Sequence, residues 1–334
     1  MHDTKNAVDI FFSCKNLFIT LTYSCNVFCE KCLTRYHKFK NKSMDLETLN
    51  KIIDLIIKNN YRGIINIGSG EALTYKYIDY FISKLLNSND NLKFRILSNG
   101  VLLNAALPKH FFDNRIIWGV TLDGFVNNDL INLQKGVDLE LVKNNICKLA
   151  QNGYSKNLYL NYTLNNQNFH SLKNFIDFAN ACMIKEIYVT EMKIFEGFEY
   201  LDKFRFDTNK NNELLQLEEY AKSLNFSKVY FATLLNSNQF DKCYCKNHVF
   251  PIIDLDGSLS FCSGHEDRII GNIFEIETIE KWFKLYNSLY SNSDIGTKYC
   301  HDCSTKYYGD DYLSVPKKIY TYLNQGINEN KRIY

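Results

Sequence analysis

The protein has 334 residues, of which 46% are hydrophobic and 23% are charged, and its 39 basic and 37 acidic side chains leave a net charge of only +2. This composition is that of a globular protein with a substantial core, and only three prolines and fifteen glycines exclude a disordered linker or a collagen-like repeat. The near-neutral balance of basic and acidic side chains argues against a nucleic-acid partner. No apolar run reaches the roughly 18 to 20 residues of a membrane span, which argues against a membrane partner and predicts a cytoplasmic protein.

Short β-rich runs alternate with stretches of helical periodicity up to about residue 205, a pattern typical of βα units around a parallel sheet. The predicted strands are, in chain order, 17–23, 64–68, 94–100, 116–124, 158–164 and 186–192. Six units are too few to close an eight-unit barrel. The sequence therefore predicts an α/β fold with a partial (β/α)6 TIM-like barrel, open at one side, whose active face lies at the carboxyl ends of the strands.

The first helix shows why these stretches are helical. Ser43 or Asp45 can cap its amino end, and apolar residues then recur at helical spacing from Leu46 to Ile56. After about residue 205 the pattern changes to a polar bridging helix and then to a hairpin with Asp256-Gly257 at its turn. We therefore predict an N-terminal extension over 1–16, the barrel over 17–225, and a small second domain with a C-terminal helix over 226–334.

The most informative feature of the composition is its eleven cysteines. In a reducing cytoplasm cysteines are expected to bind metal or take part in catalysis rather than form disulfides. Most fall into two groups separated by much of the chain. Cys14, Cys147 and Cys182 stand apart, and the helical stretches around Cys147 and Cys182 predict buried packing residues.

The first group, CNVFCEKC, places Cys25, Cys29 and Cys32 on the loop after the first strand. Three thiolates can hold a four-iron cluster that keeps one iron open for another ligand. The alternative is a structural zinc site that recruits His37 as its fourth ligand. The spacing resembles the CX3CX2C signature of the radical S-adenosylmethionine (radical SAM) superfamily, which implies that the amino and carboxylate groups of S-adenosylmethionine (SAM) chelate the open iron.

The resemblance extends over about residues 17–303 and implies that SAM is bound at the ends of the later strands. GSGEAL resembles the glycine-glycine-glutamate-proline motif of that superfamily, and SNG and TLDG stand at the ends of the third and fourth strands. The residues implied to bind the cofactor are Gly70, Glu71, Ser98, Asn99, Thr121, Asp123, Asn161, Thr163, Val189 and Glu191. The alternative for the polar ones is that each caps the following helix. Lys31, where an aromatic residue is common, and Ala72, where proline is usual, depart from the family pattern.

The second group resembles the C-terminal extension called SPASM, or its shortened form called twitch, with one auxiliary four-iron cluster. The implied ligands are Cys245, Cys262, Cys300 and Cys303, although Cys243 satisfies the same loose spacing as Cys245. The alternative is a four-cysteine zinc site, whose requirements are nearly identical. His265 follows Cys262 and is a candidate for a place near the substrate, with a solvated loop histidine as the alternative.

The family resemblance implies an oxidoreductase that cleaves SAM reductively to a 5′-deoxyadenosyl radical, which then removes a substrate hydrogen. The electron would come from a reductase, a flavodoxin or a ferredoxin. We expect a ribosomally made peptide as substrate, modified by epimerisation or cross-linking, with Cys243 as candidate hydrogen-atom donor. No separate leader-peptide-binding domain is expected before Cys25, which weakens the peptide hypothesis without removing it. Dehydrogenation of an amino sugar or cyclitol is the alternative reaction. A non-catalytic, zinc-stabilised binding module is the alternative of another class.

Overall fold

The computed structural model describes residues 8, 11–32, 39–125, 133–192, 199–232, 251–260, 269–275 and 277–282. Its strands, in chain order, are β1 (Asn16–Ile19), β2 (Phe28–Cys29), β3 (Ile64–Ile67), β4 (Lys93–Ser98), β5 (Ile116–Thr121), β6 (Gln134–Lys135), β7 (Leu158–Leu164), β8 (Glu186–Glu191), β9 (Lys228–Ala232), β10 (Ile252–Ile253), β11 (Ser258–Ser260) and β12 (Gly271–Asn272). Its α-helices are α1 (Leu46–Lys58), α2 (Ile78–Ser88), α3 (Leu139–Leu149), α4 (Leu172–Ala181) and α5 (Asn211–Ser223).

Ten strands form one sheet in the order β12-β11-β10-β1-β3-β4-β5-β7-β8-β9, and β2 pairs separately with β6. Every neighbouring pair from β10 through β1 to β9 is parallel, and only the β10-β11-β12 turn-back is antiparallel. Within the described residues the two end strands do not pair with each other, so the sheet is open. The α/β fold with a partial parallel barrel is confirmed.

All six predicted strands are confirmed, with ends shifted by up to four residues, and the hairpin of β10 and β11 turns at Gly257 as predicted. Two features differ from the prediction. Strand β9 follows the bridging helix α5 and continues the parallel sheet beside β8, and β10 joins the sheet on the other side of β1. The domain boundary at residue 225 stays a prediction.

Helix α1 shows how the helices cover the sheet. Its amino end is capped by Asp45, whose carboxylate accepts a hydrogen bond from Thr48 N at 2.8 Å, whereas Ser43 bonds to Thr22 instead. Its apolar face, Leu49, Ile52, Ile53 and Ile56, is at most 2% exposed. Burial of such side chains contributes about 1.5 to 3 kcal/mol each. The apolar residues that recur at helical spacing in the sequence are therefore the ones that pack this helix against the sheet.

The other face of the sheet is the interior of the partial barrel. Side chains alternate along each strand, so Tyr159 lies on the same face of β7 as Thr163. Tyr188 and Tyr230, on the next two strands, continue a row of aromatic rings from Tyr159, with ring centroids 4.9 and 5.9 Å apart. This row lies in the first half to the middle of these strands and stops short of their carboxyl ends.

Cys147 and Cys182 correct the expectation that the cysteines outside the two groups serve only in packing. Cys147 lies in α3 and Cys182 follows α4, with Cα atoms 5.2 Å apart and the two sulfurs joined in a disulfide. Helices before and after one parallel strand pack side by side on the same face of a sheet. Residues 35 positions apart in sequence are thereby brought together. Cys14 is a buried thiol that donates to Asn16 O at 3.2 Å.

Candidate functional site

A cavity of about 590 Å³ lies at the carboxyl ends of the parallel strands. Its walls come from the loop after β1, from the segments after β3 and β4, and from the ends of β5 and β7. The residues predicted from sequence that line it are Cys25, Cys29, Cys32, Gly70, Glu71, Ser98, Asn99, Thr121, Asp123 and Thr163. The fold thus collects ten side chains and backbone positions that are scattered over 139 residues of sequence between Cys25 and Thr163 into one site.

The three cysteines lie on the loop after β1, with Cys25 exposed and Cys29 and Cys32 half-buried. This loop is attached to a distant segment, because β2 pairs with β6 so that Cys29 stands opposite Gln134. Glu30 N extends this attachment by donating to Leu133 O at 3.3 Å, and Cys32 N donates to Cys29 O at 3.2 Å. The thiols are therefore carried by a loop that is anchored to the segment of Leu133 and Gln134.

The electrostatic environment of Cys29 bears on what its thiol can bind. The pKa of Cys29 is raised to about 12, chiefly by burial and then by the carboxylate of Asp123 and the neighbouring Cys32, whereas Lys31 acts to lower it. A thiol in this setting stays protonated at neutral pH until a metal displaces the proton. Ligation at this loop therefore releases protons and is coupled to the local charges.

Three thiols on one loop are a donor set that fits a four-iron cluster, since such clusters are held by cysteine thiolates. In the part of the chain that the structure describes, no three His, Cys, Asp or Glu side chains are grouped closely enough to hold one metal ion. In a four-iron cluster each cysteine binds a different iron, so the sulfurs stand further apart than the ligands of one zinc ion. His37, the proposed fourth ligand of the zinc alternative, lies outside the described residues.

Glu71 is almost fully buried, and its carboxylate is engaged by the segment after β4. Oε1 accepts from Ser98 Oγ at 3.0 Å and Oε2 accepts from Asn99 N at 2.7 Å. Burial raises the pKa of Glu71, and these hydrogen bonds act in the opposite direction. The carboxylate therefore organises the Ser98-Asn99 turn while it lines the cavity.

The backbone before Glu71 makes a close approach to the cysteine loop. Glu71 N donates to Ser24 O at 2.9 Å, and a Cβ placed on Gly70 would stand 2.4 Å from that same oxygen. Ser69 has φ +104, a conformation that favours glycine. Only a residue without a side chain fits at position 70, which explains the glycine recognised in the sequence.

Asp123 joins three elements at the floor of the cavity. Its Oδ2 lies 2.8 Å from Lys31 Nζ, and its Oδ1 accepts from Thr163 N at 2.9 Å. Its own N–H donates to Gln134 Oε1 at 3.0 Å. Sequence reasoning missed Gln134, because a two-residue strand has no periodicity, and it treated Lys31 only as a departure from a family pattern.

Three of the predicted cofactor residues do not line the cavity. Asn161 donates to Thr121 Oγ1 at 3.4 Å, and Val189 and Glu191 are buried in β8. Thr190, between them, is in register with Thr163 and points to the cavity face. The predicted ligands of a second cluster and their neighbours, Cys243, Cys245, Cys262, His265, Cys300 and Cys303, lie outside the described residues.

A parallel sheet with three cysteines on the first loop and a cavity at its carboxyl edge is the architecture of a SAM-dependent radical enzyme. Residues 19–179 match the family model of the Radical SAM superfamily. The chain therefore carries a radical SAM domain and is a radical SAM enzyme, with SAM and one four-iron cluster as the cofactors of that domain. No helix among the described residues has the length and apolar character needed to cross a membrane.

Similar proteins are found in sequence and in structure. The uncharacterized protein MJ0907 of Methanocaldococcus jannaschii is 24% identical over 272 residues, covering 78% of this chain and 88% of that protein. SuiB of Streptococcus suis bound to S-adenosylmethionine superposes with a TM-score of 0.65 at 16% identity, over 90% of this chain and 76% of SuiB. The enzyme anSMEcpe with bound AdoMet and a Cp18Cys peptide gives 0.64 at 15% identity, over 96% and 99%. At these identities the two structures show a shared fold.

Proposed function

We propose that this radical SAM enzyme modifies a ribosomally made peptide, by epimerisation or by cross-linking. The observation that carries the radical chemistry is the convergence of Cys25, Cys29 and Cys32 on one cavity with the strand ends of the barrel. Support for a peptide comes from the structures of the same fold, since SuiB is found with its precursor peptide SuiA and anSMEcpe with a peptide. Both superpose on most of this chain.

In this proposal Cys25, Cys29 and Cys32 hold the four-iron cluster. When bound, the cluster and SAM together supply a 5′-deoxyadenosyl radical that removes one hydrogen atom from the substrate. The backbone at Gly70 and the carboxylate of Glu71 shape the place for the amino group of SAM, and Ser98 and Asn99 border the place for its ribose or carboxylate. Leu97 and Met192, which also line the cavity, exclude water from the reacting atoms.

A second cluster completes the proposal. Cys245, Cys262, Cys300 and Cys303 would hold it in a twitch-type domain, with Cys243 as the spare thiol. If Cys243 is the fourth ligand instead, Cys245 is the spare thiol. A reductase, flavodoxin or ferredoxin would deliver the electrons. A spare thiol beside the cavity would donate a hydrogen atom to the opposite face of a substrate radical, as epimerisation requires.

The first experiment tests the radical chemistry. Anaerobically reconstituted protein should be brown and contain about eight iron and eight sulfide per chain. Changing Cys25, Cys29 and Cys32 together to Ala should abolish 5′-deoxyadenosine formation and leave about four iron. Zinc in place of iron, or retained 5′-deoxyadenosine formation in the triple variant, would overturn the proposal.

The second experiment tests the substrate and the reaction. Short peptides encoded beside the gene are co-expressed with the enzyme and analysed by mass spectrometry and chiral amino-acid analysis. Turnover in deuterated water should place solvent deuterium at the modified carbon if the peptide is epimerised, and C243A or C245A, whichever retains both clusters, should lose it. Cross-linking should instead remove two hydrogens from the peptide. An unmodified peptide together with oxidation of an amino sugar or cyclitol would replace this proposal by dehydrogenation.

A further inference from the structure

Lys31 and Asp123 form an ion pair inside the cavity, between the second and third cysteines of the loop and the end of β5. Lys31 Nζ lies 2.8 Å from Asp123 Oδ2, and the two side chains are only 9% and 2% exposed. Among the described residues the ammonium group makes no well-directed hydrogen bond, so attraction between the charges holds the pair together. A buried charge without its partner is costly, which makes the two residues interdependent.

The carboxylate of this pair is fixed from two sides. Thr163 N at the end of β7 donates to its other oxygen at 2.9 Å, and Gln134 Oε1 accepts from Asp123 N at 3.0 Å. Gln134 is in turn the strand partner of Cys29. The contacts run from Cys29 through Gln134 and Asp123 to Lys31, which returns to the same loop two residues after Cys29. The position of both charges relative to the cysteines is thereby determined by the fold.

Both charged side chains line the same cavity as Cys25, Cys29 and Cys32. Their charges are opposite, so their fields act on a group held by these cysteines with opposite sign. Interactions of this kind are strong where solvent is excluded and weak where water screens them. The pair of Lys203 and Glu30 provides the contrast. It joins Glu30 of the same loop to a distant segment at 2.6 Å, but its side chains are 53% and 33% exposed.

We propose that Lys31 and Asp123 are positioning residues that set the reduction potential of the cluster held by Cys25, Cys29 and Cys32. The inference rests on the four-iron cluster of the radical SAM domain and not on the identity of the substrate. Reduction adds negative charge to a cluster, so a nearby cation favours the reduced state and a nearby anion opposes it. Because the two charges form one pair, each offsets the effect of the other, and the potential depends on the presence of both.

The test is a reductive titration of the anaerobically reconstituted full chain, followed by electron paramagnetic resonance. The cluster of this loop is identified as the one whose signal changes when SAM is added. K31M should shift its midpoint potential to more negative values, D123N should shift it to more positive values, and the double variant should return towards the native value. K203M is the matched control and should leave the potential unchanged, because its charge is solvated.

Shifts of equal sign in K31M and D123N, or a double variant that keeps the shift of one single variant, would overturn the proposal. If D123N takes up no cluster, K31R decides instead. It keeps the charge and should retain the native potential, and a potential equal to that of K31M would also overturn the proposal. A native protein without any SAM-responsive cluster would contradict the radical chemistry itself, so the two failures are distinguishable.

Discussion

The side-chain nitrogen of Asn99 donates to the sulfur of Cys25 at 3.7 Å. The same nitrogen also donates to Asn26 Oδ1 at 2.8 Å, and Asn99 Oδ1 accepts from Val101 N at 3.0 Å. The turn after β4 is thus bound to the start of the cysteine loop. Because Glu71 holds the backbone of the same residue, the segments after β1, β3 and β4 share one hydrogen-bond network.

Asn99→Ala should weaken the hold on the cluster without unfolding the protein. It removes the donor to the Cys25 sulfur and the bond to Asn26, and each such bond contributes about 0.5 to 1.5 kcal/mol. Donors to cluster sulfur also raise the reduction potential, so the variant should lose iron faster to a chelator and titrate at a more negative potential. Asn91→Ala, at an exposed position, is the control. A rate of iron loss to the chelator and a midpoint potential that both equal those of the native protein would refute this role.

At position 69 a glycine should give a more stable protein than an alanine, which is the reverse of the usual order. Its φ of +104 is strained for any residue with a Cβ, and its hydroxyl lies 3.3 Å from Thr20 Oγ1. Ser69→Ala loses that contact and keeps the strain, whereas Ser69→Gly relieves the strain. We expect S69G to be about 1 kcal/mol more stable than S69A by denaturant unfolding. An S69A protein more stable than S69G would show that the strain is absent.

Gly70→Ala should impair iron loading, whereas Gly153→Ala should not. A Cβ at position 70 would meet Ser24 O at 2.4 Å and Thr22 O at 2.7 Å, and these are backbone atoms that cannot rotate away. At Gly153 no atom lies within 4 Å, although its φ of +87 makes alanine strained by about 1 to 2 kcal/mol. We expect G70A to lose about 1 to 3 kcal/mol or more and to load iron poorly, whereas G153A loads iron normally. Equal iron content in the two variants would contradict the close approach.

The pair Cys147 and Cys182 should be found cross-linked in oxidised protein. Peptide mapping without reductant should yield one linked pair of fragments, and reductant should lower the stability of the cluster-free protein. Closing a loop over a sequence separation of 35 contributes about 3 to 4 kcal/mol in the chain-entropy account. Cys147→Ser should make the stability insensitive to reductant. Alkylation of both cysteines in protein that was never reduced would disprove the cross-link.

The sequence was sufficient for features that depend on local pattern. Strand β7 begins and ends where the β-branched and aromatic run predicts, and Asp45, one of the two predicted caps, is the one that caps α1. The three-cysteine motif was visible because its ligands lie within eight residues.

What the sequence did not reveal depends on contacts between distant residues. Lys31 pairs with Asp123, and Cys29 lies opposite Gln134, although about a hundred residues separate the partners in sequence. Periodicity in the sequence does not predict such pairs. Strand β9 follows a polar helix and is only five residues long, so its pairing with β8 was decided by the sheet and not by its own pattern.

Strand β1 has a consequence for the order in which the site is assembled. It leads into the cysteine loop, yet one of its two partners is β10, with Phe18 opposite Ile252, more than two hundred residues later in the chain. During synthesis β1 leaves the ribosome long before β10. The edge of β1 that pairs with β10 therefore stays unpaired until β10 has been made. We therefore expect iron to be held securely only after the chain has been synthesised past Ile253, and a nascent chain stopped at Ala232 should bind it weakly. A strand that is made more than two hundred residues after β1 thus secures the base of the first loop.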